Sequence, residues 1–489
     1  MTLRTSSITA RRGPFTTLNV MWARLWNVRD RFITWWTALG KLTGDGLLYF
    51  LAAGFSLVLG WTSSQPAQWQ WGYLTFGPYL LIGAVAFIIG RRVLRREHLV
   101  RVTLLGAVLI GAVFVPLGLE THWRQLHGGH GDAQPEVGVI ERSGKLLSKG
   151  QDPYRVYLKH GHLVNEIPGL PAFESFFPYF PLMGVFGLPA ADTHQSEGLT
   201  DARIIMTLMT LFASGWALAL LRLSKQQKLR VAQVLLALPT GALFLSTGGD
   251  DMPILALLLL GVAALQRRQT NLAGISFGLA AAMKLTAWPM AAGALLVVRN
   301  PEGRSTWRRL LLWVGAIVVV TTVPFVYKAP AAFMSNVFAF PLGFAGVASP
   351  AASALPGHVL TTWFPALGHV LAPLAFLIGG YFATKYVHRH WPLTLSQLLA
   401  ILSVVFTVMI CVATATRVGY VIYPLNFALW AAVTQDHKGA RAGTRESVTL
   451  DGLGVLVDLE RPVDARRAGL GDGDADLPVE TVVASLLKE

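Results

Sequence analysis

The chain has 489 residues, of which 53% are hydrophobic and only 14% charged, and its mean hydropathy is +0.49. This balance excludes an ordinary soluble globular protein and predicts a polytopic membrane protein. The net charge of +14 does not indicate nucleic-acid binding, because the basic residues cluster beside apolar runs without interleaved aromatic residues. The single cysteine, Cys411, excludes a disulfide framework and a cysteine metal cluster.

The chain divides into four predicted parts. Residues 1–45 form a basic segment. The first long apolar run of the chain begins only near Asp45, too late for a cleavable signal peptide, so we expect the N-terminus in the cytoplasm. Residues 46–98 form a transmembrane hairpin, and residues 99–435 form the main membrane domain. The polar tail 436–489 is expected to be cytoplasmic and weakly folded, without chemistry of its own.

The apolar runs predict about 10–12 transmembrane helices. The candidate spans are 46–62, 74–90, 99–118, 202–222, 230–247, 252–266, 272–298, 308–326, 365–385, 393–414 and 417–433. Basic clusters such as Arg91–Arg96 and Arg299–Arg309 belong on the cytoplasmic side. Alternation then places the long loop 119–201 on the outer face of a plasma membrane.

The segment 272–298 has basic residues at both ends, so both ends are expected on the cytoplasmic side. At a helical rise of about 1.5 Å per residue, this segment is too short to cross the membrane twice. Two half-helices that meet at a break near Lys284 and Pro289 would enter the membrane and return. Lys284 would then point into a polar cavity, and the alternative is that it reaches to an interface.

The outer loop contains the stretch EVGVIERSGKLLSKGQDPY, from Glu136 to Tyr154. Glu136 and Glu141, with Asp132 just before them, are carboxylates held near a membrane surface, where they could act as a catalytic base. Their alternative role is a solvated loop helix. The aromatic segment 173–189 either lies in the headgroup layer or packs as a plug onto the spans.

Three further polar groups are predicted at the same outer face. Asp250 and Asp251 lie at one turn, and one of them could simply cap the next helix. Arg417, in the turn before Tyr420, could grip a phosphate or anchor at the interface. Lys284 completes the set, and the topology can bring all of these groups into one cavity.

No cofactor or metal site is predicted. The spacing of His122, His127 and His130 fits neither a helix face nor a common zinc pattern. The glycines of SFGLAAAM and GGDD lack the strand context of a nucleotide-binding fingerprint.

The run GLAAAMKLTAWP, the turn STGGDD and a carboxylate fourteen residues before the glycine of GQDPY resemble the polyprenyl-phosphate-sugar-dependent glycosyltransferases of family 87. The resemblance covers about 100–435 and implies an all-α, C-type membrane fold with a long extracytoplasmic first loop. It implies an acidic base, usually Asp, at the position of Glu136, with Asp132 as the alternative. Arg417 and Lys284 would bind the donor phosphate, and Glu141, Asp250, Asp251, Tyr154 and Tyr420 are further cavity candidates.

The expected activity is inverting transfer of a sugar, mannose, from a polyprenyl-phosphate donor to a lipid-linked or cell-envelope glycan on the extracytoplasmic face. The expected partners are this donor, the acceptor and membrane lipids, without nucleic acid. Two other interpretations remain at this stage. A transporter or lipid flippase would use Lys284 at a midplane site, and a noncatalytic envelope scaffold would not need the outer carboxylates.

Overall fold

The computed structural model describes residues 40–92, 94–129, 131–160, 162–191, 198–299, 303–347, 351, 353–413 and 417–434. Most of the predicted N-terminal segment and the whole predicted tail 436–489 lie outside these ranges. The described chain is mostly helical, as predicted. Its strands form one antiparallel hairpin in the long loop, β1 (Tyr157–Lys159) and β2 (His162–Val164).

The helices are numbered along the described chain. They are α1 (Lys41–Thr62), α2 (Pro66–Ile89), α3 (Glu97–Leu126), α4 (Pro135–Ser148), α5 (Ala202–Leu220), α6 (Lys225–Ala237), α7 (Pro239–Thr247), α8 (Asp251–Gln266), α9 (Thr270–Ala281), α10 (Trp288–Arg299), α11 (Gly303–Lys328), α12 (Pro330–Met334), α13 (Pro356–Trp363), α14 (Gly368–Arg389), α15 (Leu395–Val412) and α16 (Ile422–Thr434). The 3-10 turns are Ala172–Ser175, Pro181–Ala190, Gly198–Thr200, Leu285–Ala287, Pro365–Leu367 and Val418–Val421.

Six helices of the described residues are long and apolar enough to cross a membrane, and the bent pair α6 and α7 raises the number to seven. This confirms a polytopic membrane protein with fewer long spans than the about 10–12 predicted from hydropathy. The difference arises partly because predicted spans 252–266 and 272–298 lie in the shorter helices α8, α9 and α10. Every residue of α8 from Met252 to Ala264 is buried, as expected for a central helix that is apolar on all sides.

The N-terminal hairpin of α1 and α2 packs onto the main bundle. Its two helices approach closely, and Gly72 lies against the backbone of Gly60. Tyr79 in α2 donates a hydrogen bond to the carbonyl of Ala237 (2.6 Å), at the bend that Pro239 introduces between α6 and α7. The amide of Gly241, which would serve Ala237 in a continuous helix, bonds the carbonyl of Leu238 instead. The hairpin therefore satisfies a backbone group of the bundle that the bend releases.

The predicted break in 272–298 is present: α9 ends at Ala281, and Lys284 has extended backbone angles. Helix α9 runs in the same direction as α11, because Trp313 donates to Asn271 (3.2 Å) and Gly278 contacts Ile317 further along both helices. Helix α10 lies between them in the chain and ends just before α11 begins. The chain therefore turns back at the break.

Contacts of α10 show the same reversal. Thr286, just before its start, bonds Tyr423 in the first turn of α16 (2.8 Å), whereas Gly293 packs against Leu398, one turn into α15. The first turn of α15 lies at the far end of α16, since Ser396 donates to the carbonyl of Ala431 (2.8 Å). The arrangement is the predicted pair of half-helices, with Lys284 at the turning point.

The aromatic segment 173–189 packs down as a plug, the second of its two predicted arrangements. Phe176, Phe177 and Phe180 are buried, and the amide of Phe180 donates to the carbonyl of Met283 (3.0 Å). This bond satisfies a backbone group released by the break between α9 and α10. The following turn, Pro181–Ala190, lies directly against α4.

Candidate active site

Helix α4 begins beside the turn between α7 and α8. Gly248 ends α7 in the left-handed conformation (φ 95°), where a side chain would also collide with Val137. The amide of Gln134 donates to the carbonyl of Thr247 (2.9 Å), and its side chain donates to Thr247 Oγ1 (2.7 Å). These bonds place Glu136, in the first turn of α4, next to the turn that carries Asp250.

Lys284 joins the break to the start of α8. Its Nζ lies 2.7 Å from Asp250 Oδ2 and 2.7 Å from Asp251 Oδ1. Asp251 Oδ1 also accepts a hydrogen bond from the hydroxyl of Tyr423 (2.6 Å), which lies 2.8 Å from Thr286 Oγ1. The Lys284 side chain is 12% exposed; it is ion-paired inside the protein and does not extend to an interface.

Arg417 pairs with Glu136, with 2.5 Å between Nη1 and Oε1. The two side chains are 22% and 19% exposed, respectively. The second carboxylate oxygen of Glu136, Oε2, is buried and has no hydrogen-bond partner among the described residues. An ionised carboxylate with a free oxygen can accept a proton from a bound hydroxyl.

The two ion clusters are neighbours. Burial, followed by the charges of Asp251 and Glu136, raises the pKa of Asp250 to about 6, against the lowering effect of Lys284. Lys284 Nζ also lies 5.7 Å from the centre of the Tyr420 ring. The structure thus brings together six residues that the sequence singled out: Glu136, Asp250, Asp251, Lys284, Arg417 and Tyr420.

Three residues of this cluster were missed by the sequence analysis. Tyr179 lies with its ring centre 5.6 Å from Lys284 Nζ, and Tyr423 and Thr286 bond to each other beside Asp251. The aromatic segment around Tyr179 was noticed, but nothing in its sequence separates this tyrosine from the packing residues beside it.

The structure places the other three predicted site residues elsewhere. Asp132 accepts a hydrogen bond from Gln70 (2.7 Å) and pairs with His127 (2.5 Å), so both of its oxygens are bonded. The hydroxyl of Tyr154 donates to the carbonyl of Tyr179 (2.7 Å) and supports the backbone there.

Glu141 belongs to a buried charge network that fixes α4 against α3 and α5. Its oxygens accept from Arg124 at 2.9 and 2.7 Å. Arg124 also bonds Asp201 (2.8 Å), and Asp201 bonds Arg203 (2.9 Å). Arg203 further lies 3.5 Å from Glu120. The contacts of Glu141 are therefore those of a residue that holds the helix carrying Glu136.

Replacing Arg203 with Met is expected to destabilise the protein by about 3–5 kcal/mol, because it leaves a buried carboxylate without one of its cations. Arg203 and Asp201 are both fully buried, and Arg203 also donates to the carbonyl of Asp132 (2.7 Å). The measurement is the unfolding free energy in detergent. Arg155→Met, at an exposed arginine, is the matched control, and an equal loss in both variants would contradict this role.

The raised pKa of Asp250 predicts a pH-dependent stability. Because Asp250 binds its proton more tightly in the folded protein than in the unfolded chain, its contribution to stability is full below about pH 4 and is lost as pH rises through about 6. The thermal midpoint of the wild type should therefore fall from pH 4.5 to pH 7 relative to that of Asp250→Asn. Parallel curves for the two proteins would show that Asp250 titrates normally.

No group of three or more His, Cys, Asp or Glu residues among those described could hold a metal ion. His130 of the predicted histidine group lies outside the described residues. Asp250 and Asp251 instead face the ammonium group of Lys284, and Glu136 faces Arg417.

The family model of glycosyltransferase family 87 matches residues 177–434, which is more than half of the chain. No curated protein and no solved structure matches. The matched region contains Asp250, Asp251, Lys284 and Arg417, whereas Glu136 precedes it. Glycosyltransferases of this family are membrane enzymes with the C-type fold, in agreement with the helices described above. The chain therefore belongs to glycosyltransferase family 87.

Proposed function

We propose that the protein transfers mannose from a polyprenyl-phosphate donor to a lipid-linked or cell-envelope glycan on the extracytoplasmic face, with inversion at the sugar. The observation that supports this proposal is the position of Glu136: its free Oε2 lies in a cluster that also holds two cations, Arg417 and Lys284. Inverting transfer from a glycosyl phosphate requires a base on one side and positive charge for the leaving phosphate.

Glu136 is the base in this proposal. The oxygen of the acceptor hydroxyl forms a bond to the anomeric carbon while the bond from that carbon to the phosphate oxygen breaks. The hydroxyl proton passes to Glu136, and polyprenyl phosphate leaves. Asp132, the alternative base, is less suited because both of its oxygens are already hydrogen-bonded.

Arg417 and Lys284 would stabilise the leaving phosphate. The guanidinium group of Arg417 has five N–H donors in a fork that fits phosphate oxygens, and Glu136 accepts from its Nη1 alone. Lys284 uses two of its three donors on Asp250 and Asp251. Both cations therefore keep donors for a phosphate. The reaction needs no cofactor besides its lipid-phosphate substrate.

The test is reconstitution of the purified protein with polyprenyl-phosphate mannose and a mixture of lipid-linked acceptors. We expect mannosylated lipid, release of polyprenyl phosphate and inverted configuration in the product by NMR. A nucleotide sugar supplied in place of the lipid donor should give no product. Uptake of the sugar lipid across vesicles without any glycosidic product would instead support the transporter hypothesis.

A further inference from the structure

We propose that Asp250 and Tyr179 bind hydroxyl groups of the sugar being transferred, and that they determine which sugar the enzyme accepts. This inference rests on the proposed function, because it assigns the sugar half of a glycosyl-phosphate donor to one side of the cluster. The phosphate half is assigned to Arg417 and Lys284.

Two buried polar groups beside Lys284 have no partner within the described residues. The Asp250 side chain is only 8% exposed, and Oδ2 alone is bonded, to Lys284; Oδ1 is not. Tyr179 is 3% exposed, and its hydroxyl makes no hydrogen bond, although its backbone carbonyl accepts one from Tyr154. A carboxylate oxygen and a hydroxyl without a partner in the protein are both able to bond a polar ligand.

The chemistry of the two groups fits a sugar better than a phosphate. A carboxylate oxygen repels a phosphate but accepts a hydrogen bond from a sugar hydroxyl, and a tyrosine hydroxyl can donate to or accept from the same kind of group. The rings of Tyr179 and Tyr420 both lie within 6 Å of Lys284 Nζ, at 5.6 and 5.7 Å. Both rings thus border the ammonium group that is proposed to face the phosphate half of the donor.

The position of the groups also fits. Lys284 Nζ lies 2.7 Å from Asp250 Oδ2 and 5.6 Å from the centre of the Tyr179 ring, so both groups are at the same ammonium group. A sugar held by Asp250 and Tyr179 would therefore lie beside Lys284, the cation proposed to face the phosphate. Burial, then the charges of Asp250 and Glu136, raise the pKa of the Tyr179 hydroxyl well above its usual value. Substrate hydroxyls bound by buried polar groups give strong selection, because an analogue that lacks the hydroxyl leaves those groups unpaired.

The test compares two ligands in nanodiscs without acceptor: polyprenyl-phosphate mannose and polyprenyl phosphate alone. Asp250→Asn should weaken binding of the mannosylated lipid about 10- to 100-fold, and Tyr179→Phe about 2- to 10-fold. Neither variant should weaken binding of polyprenyl phosphate, and Asp250→Asn can only strengthen it, because Lys284 loses an ion-pair partner. Tyr79→Phe is the matched control. The buried hydroxyl of Tyr79 donates to the carbonyl of Ala237, outside the cluster, so its loss should not discriminate between the ligands.

Each other result overturns the inference. Equal losses for both ligands would assign Asp250 and Tyr179 to the phosphate or to folding. No loss for either ligand would remove them from donor binding, and Tyr179→Phe gives this answer even if Asp250→Asn fails to fold. If the wild type binds both lipids equally, the site does not recognise the sugar. If it binds neither lipid, the proposed donor class itself is refuted.

Discussion

Replacing Glu136 with Gln is expected to lower the rate of sugar transfer about 100- to 10,000-fold, the usual contribution of a general base. The amide keeps the size of the side chain but cannot take the proton of the acceptor hydroxyl. It also releases Arg417 from its ion pair, so the affinity for the donor phosphate should stay the same or increase. We therefore expect kcat to fall while KM for the donor does not rise.

The controls use the other two carboxylates of the loop. Asp132→Asn should keep most of the activity, because Asp132 is bonded to Gln70 and His127. Glu141→Gln should lower the thermal midpoint clearly and kcat only slightly, since Glu141 is bound to Arg124. Unchanged turnover in Glu136→Gln together with a large loss in Asp132→Asn would make Asp132 the base.

The assembly of the cluster could be predicted from the sequence because charged groups in an apolar chain have few places to lie. The charge rule placed Glu136, Asp250 and Arg417 at turns on one face, and Pro289 with Lys284 indicated a break that reaches that face. In the structure Lys284 bonds Asp250, and Arg417 bonds Glu136. These partners come from segments far apart in the chain, so topology rather than local pattern predicted them.

Helical geometry explains why Glu141 is not part of the cluster. Five residues along an α-helix turn the side chain by about 140°, so Glu136 and Glu141 point to different sides of α4. The sequence showed this spacing, but it could not show that Arg124 of another helix lies on the side of α4 that carries Glu141. The roles of Tyr179 and Tyr423 depend in the same way on tertiary contacts that leave no local pattern.

Among the described residues, fewer helices have the length of a span than the hydropathy predicted, because hydropathy does not separate burial in lipid from burial in protein. Helix α8 is as apolar as a span, yet it has only 16 residues, and its sides are covered by other helices. Such helices need not match the thickness of the bilayer. Only packing, which a single sequence does not show, distinguishes them from full crossings.

Replacing Lys284 with Met is expected to lower kcat/KM for the lipid donor about 100- to 1,000-fold, comparable to the loss of one oxyanion donor at other transferring groups. The substitution removes the ammonium group that would face the leaving phosphate. It also leaves Asp250 and Asp251 close together without their cation, which should destabilise the protein by about 3–5 kcal/mol. A loss of activity in this variant alone therefore has two possible sources.

The double variant Lys284→Met with Asp250→Asn separates the loss of the catalytic cation from the loss of stability. Removing one carboxylate together with the cation leaves the Lys284–Asp250–Asp251 group with the same net charge of −1, so the thermal midpoint should return towards that of the wild type. The transfer rate should stay low, because the positive charge beside the leaving phosphate is still missing. Recovery of both stability and transfer to within about threefold of Asp250→Asn alone would show that Lys284 only neutralises the carboxylates, and Arg417 would then be the cation of the cluster left to bind the phosphate.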